Sequence, residues 1–255
     1  MATMHRADRD QRDVSERVTV VIPAHNEAGC LADALDSIIA QDYPLARIEC
    51  VVVDNASTDG TARVAEEFAA RHPALDLRIV VEPALGVARA KNQGVGAASG
   101  AILIFLDADS RMAPGLVSEV VACYHAGAPA GSIRVVADSV SRLERGFFDL
   151  MELGAVLFGI RSQMFYCDRA LFLALGGFNE SLQLAEDLEF LTRVKAHLRA
   201  KATGTVSHLR SSVIFTSPRR LRAHPHHLGL VTLFARWALA FAGIGRTRDY
   251  SDTGG

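Results

Sequence analysis

No 18-residue window of this sequence is both apolar and free of charge, so nothing in it predicts a membrane-spanning helix. The nearest approach, LGLVTLFARWALAFAGIG at 228–245, is broken by Arg236. Cysteine is scarce, with four in 255 residues, and Cys30, Cys50, Cys123 and Cys167 form no C-x-x-C pair. They stand among apolar neighbours, so buried free thiols are expected rather than disulfides. The opening MATMHRADRDQRDVSER has no apolar core and is no signal peptide. Residues 1–17 are therefore read as a disordered tail, and the protein as cytoplasmic. Acid is missing from one long stretch. Between Phe190 and Arg248 there is no Asp or Glu, but there are eleven Lys or Arg. Against a net charge of −2, those eleven leave the rest of the chain at −13. An acidic body with a basic C-terminal quarter calls for an anionic ligand or an anionic membrane surface near that quarter. No nucleic-acid partner is expected.

What is present is an alternating pattern. VTVVIP (18–23), IECVVVD (48–54), LRIVVE (77–82) and AILIFLD (101–107) are short apolar, β-branched runs that read as buried strands. Between them, 27–40, 57–72 and 86–100 carry helical spacing and start or stop signals. Strands alternating with helices predict an α/β fold with a mostly parallel sheet covered on both faces. Further on, helices are predicted at 114–125, from about Asp168, and at 185–198. A strand is predicted at 132–137, QMFYCD follows at 163–168, and two short strands are expected within 203–217. An amphipathic segment spans 141–160. No linker or repeat interrupts the chain, so one domain covers 18–225. An amphipathic helix and tail follow at 226–255.

In a parallel α/β sheet, ligands sit beyond the carboxyl ends of the strands. Three strands deliver polar groups there: Pro23-Ala24-His25-Asn26-Glu27, then Asp54 through Gly60, then Asp107-Ala108-Asp109. Any one of these suits a turn or helix cap. Three converging on one edge suit a site. Close carboxylates repel unless a cation lies beside them. Mg2+ or Mn2+ takes carboxylate and phosphate oxygens together. Asp109 is thus a candidate metal ligand, with Asp107 beside it or on a sugar hydroxyl.

Four segments, VTVVIPAHNE, VVVDNASTDGTARVA, GVARAKNQGVGAASGAILIFLDAD and ALGGFNESLQLAEDLEF, resemble the family 2 glycosyltransferases. They stand in that family's order and at its spacing, across roughly residues 18–217. The resemblance implies a GT-A fold, an αβα sandwich that binds a nucleotide-diphosphate sugar, most often a UDP-sugar. It implies that Pro23, His25 and Glu27 line the nucleotide pocket and that Asp54 accepts from the base. Asp107 and Asp109 match its D-x-D motif. Glu186-Asp187 matches its E-D motif, where the Asp is usually the general base and Glu186 is the fallback. The reaction would invert the anomeric carbon, with Mn2+ or Mg2+ neutralising the departing diphosphate.

Further candidates come with bland alternatives. Arg89 and Lys91 could reach nucleotide or phosphate, or form a solvated helix face. Gly176-Gly177-Phe178 resembles the family's sugar-contacting loop, although a helix C-cap explains the glycines alone. A third metal ligand could come from His208, His224, His226 or His227, of which His208 stands at the most suitable distance. Arg219 and Arg220 could clamp a diphosphate. The 146–160 and 227–248 stretches could pack in the core, form a homodimer, or touch the inner face of a membrane carrying a lipid-linked acceptor. The acceptor itself is unknown. PAHNEAGC lacks the Lys/Arg of a nucleotidyltransferase loop, and intact D-x-D and E-D pairs argue against a non-catalytic relative.

Overall fold

Three of the four strands of the amino-terminal half are buried on both faces, as continuous apolar runs require. LRIVVE (77–82), expected to be buried as well, lies at the sheet edge with every residue half-buried or exposed, Val81 at 62%. Val18, Val20, Val21 and Ile22 in β1 (Val18–Ala24) are fully buried, as are Cys50, Val51, Val52 and Val53 in β2 (Ile48–Asn55). β3 (Asp76–Glu82), β4 (Ile102–Phe105), β5 (Ser110–Met112), β6 (Ala130–Ala137), β7 (Met164–Asp168) and β8 (Val206–Thr216) complete one sheet. Its order is β3-β2-β1-β4-β7-β6-β8-β5. Four of the seven pairings are parallel, and β7 and β5 run against their neighbours. This computed structural model describes residues 16–142, 145–146, 164–182, 185–217 and 219.

The period-two alternation of the strands divides the core into two layers. Val18, Val20, Ile22, Cys50, Val52, Ile102 and Ile104 face α1 (Leu31–Ile39), α2 (Thr61–Arg71) and α4 (Leu116–His125). Val21, Val51, Val53, Leu103 and Phe105 face α3 (Val87–Ala97), α5 (Arg169–Ala174) and α6 (Glu186–Lys201). On that second face Phe105, Phe165, Phe172, Phe178 and Phe190 form one aromatic cluster, with centroids 4.8–5.8 Å apart. α3 lies flush on the sheet because Gly94 has no side chain. A Cβ there would stand 2.4 Å from Val21 Cγ1.

The opposite, amino edge of the sheet is tied by a buried carboxylate. Glu49 is fully buried and accepts from Ser99 N (2.7 Å), Ser99 Oγ (3.0 Å) and Thr19 Oγ1 (2.5 Å), with Arg78 at 3.2 Å. The chain joins this body slightly before the expected boundary. Glu16 O accepts from Tyr43 Oη (2.7 Å) and Arg17 O from Ala101 N (2.8 Å). The two strands predicted in 203–217 are one strand, β8, with an irregularity where its register on β6 shifts between Ile133 and Arg134. β5, with only three residues, was not foreseen. Of the cysteines, Cys50 and Cys167 are buried, Cys30 and Cys123 are half-buried, and all four are free thiols. Among the described residues no helix is long and apolar enough to cross a membrane. The 147–163 and 220–255 stretches lie outside the described residues, and with them Arg220, His224, His226, His227 and the segment expected to form a C-terminal amphipathic helix.

Candidate active site

Register brings the three polar segments to one edge. Ala24 pairs with Asp54 and Asn55 with Glu82, while Val21 pairs with Phe105, so Pro23 and Asp107 lie on neighbouring strand ends. The first two loops are stitched together. His25 Nδ1 lies 2.7 Å from Asn55 O, Glu27 N donates to Thr61 Oγ1 (2.8 Å), and Ala28 N to Asp59 Oδ2 (3.2 Å). Asn26, in the left-handed region at φ 54°, accepts from Thr58 N at 2.8 Å. Asp54 accepts from Ser57 N (3.2 Å), which is the turn role its position allows. Asn55 ties the next loop by donating to Glu82 O and Ala84 O and accepting from Gly86 N.

Around this edge the charges form two groups. The first lies where α3, α6 and the end of β4 meet. Lys91 Nζ donates to Glu186 Oε1 at 2.7 Å, and both side chains are buried. Asp187 beside them is also buried and accepts from Leu188 N at 2.8 Å. Burial and the neighbouring Glu186 push the Asp187 carboxyl up to about 7, Asp107 adds to this, and Lys91 and the Leu188 N–H pull against it. Burial disfavours the Lys91 cation, but Glu186, Asp107 and Asp187 more than reverse that and hold it above the usual lysine range.

The second group surrounds Asp109. Ser217 N donates to Asp109 O (3.1 Å) and Ser110 pairs with Thr216, so the end of β8 is fastened to the D-x-D turn. Two residues on, Arg219 donates to Glu27 Oε2 (2.5 Å) and reaches Cys30 Sγ (3.4 Å). Asp109 acts electrostatically on both Arg219 and Cys30. The two D-x-D carboxylates thus serve different neighbourhoods: Asp107 the α6 carboxylates, Asp109 the arginine. Beyond β8, a cavity of about 450 Å³ lies at the carboxyl ends of β6 and β8, lined by Val136, Ala137, Asp138, Ser139, Val140, Arg145 and Phe215.

Two expectations need correction. His208 does not join Asp109. It pairs with Ser132, whereas Ala137 pairs with Thr216, the partner of Ser110. Five residues of strand, at about 3.3 Å each, put roughly 17 Å between them. Instead His208 Nδ1 lies 2.8 Å from Ser132 Oγ. Lys91 does not lie on a solvated helix face, because its ammonium is buried against Glu186. Its spacing from Ala88 and Val95, both buried, places it on the apolar stripe of α3, and that was the available signal. Phe178 is buried in the phenylalanine cluster, and Gly176 and Gly177 take the positive φ that a helix C-cap calls for. Missed entirely were Asn92 and Arg193. Asn92 grips Phe178 N, Phe178 O and Glu180, and Arg193 donates to Leu175 O and Gly177 O. Arg89 pairs with Glu180 (3.3 Å).

The donor set at the D-x-D turn is oxygen only, which suits a hard divalent cation. Among the described residues no group of three or more His, Cys, Asp or Glu could hold a metal together. Two carboxylates alone would leave a cation there to complete its shell with water and ligand phosphate oxygens.

Comparison with known proteins agrees with this fold. The chain is 30% identical over 201 residues to the probable glycosyltransferase YdaM of Bacillus subtilis, covering 70% of this chain and 46% of that one. It is 33% identical over 183 residues to a PGL/p-HBAD biosynthesis glycosyltransferase of Mycobacterium tuberculosis, covering 69% and 68%. Among solved structures, the mannosyltransferase PcManGT from Pyrobaculum calidifontis, in complex with GDP-Man and Mn2+, matches with a TM-score of 0.64 and 29% identity. That match covers 78% of this chain and 56% of the other. The chain thus spans less than half of YdaM and little more than half of PcManGT. The αβα sandwich and its mostly parallel sheet are the GT-A arrangement that the resemblance implied. The family model described as Glycosyl transferase family 2 matches residues 19–172, well over half of the chain, and the protein belongs to that family.

Proposed function

We propose that this chain transfers a sugar from a nucleotide-diphosphate donor to an acceptor hydroxyl, with inversion at the anomeric carbon. The observation that carries this reading is the meeting of Asp187, Glu186, Lys91 and Asp107 at the carboxyl edge of the sheet, beside the loops of β1 and β2. Pro23, His25, Glu27 and Asp54 would bound the nucleotide. Asp187 takes the proton of the acceptor hydroxyl as its oxygen attacks the anomeric carbon. The carbon–oxygen bond to the diphosphate breaks on the opposite face, and its electron pair leaves with the diphosphate. Arg219 turns from Glu27 to the diphosphate oxygens, where its planar fork suits bidentate contact. Asp109 and Asp107 would hold Mn2+ or Mg2+, which would supply positive charge to the departing group. The β6–β8 cavity, lined by Phe215 on the strand that pairs with β5 and Ser110, is where the acceptor would enter.

The M. tuberculosis relative is named a PGL/p-HBAD biosynthesis glycosyltransferase, and PcManGT was solved in complex with GDP-Man and Mn2+. Both UDP- and GDP-sugars therefore belong in the test, which measures release of nucleotide diphosphate with Mn2+, Mg2+ or EDTA. Release from one donor, lost with EDTA and in Asp109→Ala, is the expected result. Pyrophosphate release from a nucleoside triphosphate and sugar phosphate would support a nucleotidyltransferase instead. No turnover, despite binding of a sugar nucleotide, would support a binding protein.

A further inference from the structure

α3 carries two consecutive side chains that grip the same partner segment. Asn92 holds its beginning, donating to Phe178 O and Glu180 Oε1 (3.0 Å each) and accepting from Phe178 N (2.9 Å). Lys91 holds its end, at Glu186, and its Nζ lies 5.4 Å from the centre of the Phe178 ring. From the other side, Arg193 of α6 donates to Leu175 O (2.6 Å) and Gly177 O (2.7 Å). α3 itself cannot shift on the sheet, because Gly94 is in contact distance of Val21 and Val53. The position of the α6 start is thus referred back to β1 and β2, the strands that end in the nucleotide loops.

Two adjacent buried carboxylates, Glu186 and Asp187, compete for one role. Glu186 has an oxygen committed to an ammonium at 2.7 Å, and an ion-paired carboxylate is a poor proton acceptor. Asp187 accepts, among the described residues, only the N–H of Leu188 in its own helix. We infer that Lys91 is a positioning residue for the transfer reaction: its ion pair with Glu186 fixes the start of α6 so that Asp187 meets the acceptor hydroxyl, and Glu186 acts as the counter-ion and not as the base. This rests on the transferase reading above. It extends that reading by assigning separate tasks to the two carboxylates and a task to a lysine on another element.

The test is a cycle of Lys91→Met, Glu186→Gln and the double variant, with Lys91→Arg and Asp187→Asn alongside, reading kcat, donor KM and thermal midpoint. Lys91→Met should lower kcat about 10- to 100-fold, the cost of a small misplacement of the base, while donor KM changes less than about threefold. Lys91→Arg should recover most of that loss. Glu186→Gln should keep measurable turnover where Asp187→Asn keeps none. The double variant should be no slower than the slower single, because both substitutions remove one interaction. Losses that multiply, a wild-type kcat in Lys91→Met, or Glu186→Gln as inactive as Asp187→Asn would overturn the inference. Should Lys91→Met fail to fold, Lys91→Arg and Glu186→Gln decide by the same criteria. A wild-type protein that turns over no donor overturns the transferase reading and this inference with it. An active wild type with an indifferent Lys91 overturns this inference alone.

Discussion

Replacing Asp187 with asparagine should abolish transfer and at the same time stabilise the fold above neutral pH. The carboxyl is buried, lies next to Glu186 and within the influence of Asp107, and keeps its proton up to about 7 instead of the ordinary 3.8. Between those two pH values the folded chain holds a proton that the unfolded chain has released. Stability therefore falls as pH rises across that window and stays low above it. A displacement of this size makes the ionised form on the order of 4 kcal/mol less favourable in the fold. Asparagine is neutral throughout and escapes the penalty. For a chain of this length that is roughly 8–16 °C in thermal midpoint at pH 8.5. The assay is a set of melts of wild type and Asp187→Asn from pH 4 to 8.5, with EDTA present so that no bound cation shifts the balance. The gap should widen steadily with pH, and wild-type turnover should rise through about pH 7 as the base loses its proton. A gap independent of pH, or a variant less stable than wild type at pH 8.5, would refute the reasoning. It would mean that Asp187 is ionised and satisfied in the fold.

Glu49 should behave in the opposite sense. Burial alone would raise its carboxyl, but the bonds from Ser99 and Thr19 and the charge of Arg78 hold it below its ordinary range. Its contribution is therefore present above about pH 4.5 and lost as pH falls through the lower folded value. Glu49→Gln should cost about 2–3 kcal/mol in urea melts at pH 7, and clearly less at pH 3. Gly94→Ala should cost about 1–3 kcal/mol, because its methyl would meet Val21 and lift α3 from the sheet. A neutral result would show that α3 has room to move.

Much of the fold was legible because the amino-terminal half follows the simplest rule. Val20-Val21-Ile22 and Val51-Val52-Val53 are apolar on both faces, and only a sheet covered twice over makes them so. Legibility declined where structure depends on pairing at long range. Ser110–Met112 becomes a strand only because Thr216, more than a hundred residues away, lies beside Ser110. Arg210, Ser211 and Ser212 interrupt the apolar pattern of β8, so one irregular strand reads as two. The D-x-D and E-D carboxylates were found as motifs. His208 was misplaced because a count of residues downstream says nothing of depth along a strand. Lys91 was under-read because its charge drew attention away from its position on the buried stripe between Ala88 and Val95. Asn92 and Arg193 hold backbone carbonyls, and no residue pattern announces such partners.

The central claim is that the carboxyl edge of this sheet binds a nucleotide diphosphate together with a divalent cation held by Asp109. Thermal melts with UDP, GDP, CMP or dTDP, each with Mn2+, Mg2+ or EDTA, test it most directly, since a ligand that binds only the folded chain raises its midpoint. The account predicts a rise with one nucleotide diphosphate that requires the cation and disappears in Asp109→Ala. A rise that survives both EDTA and Asp109→Ala, or no rise with any combination, would contradict it.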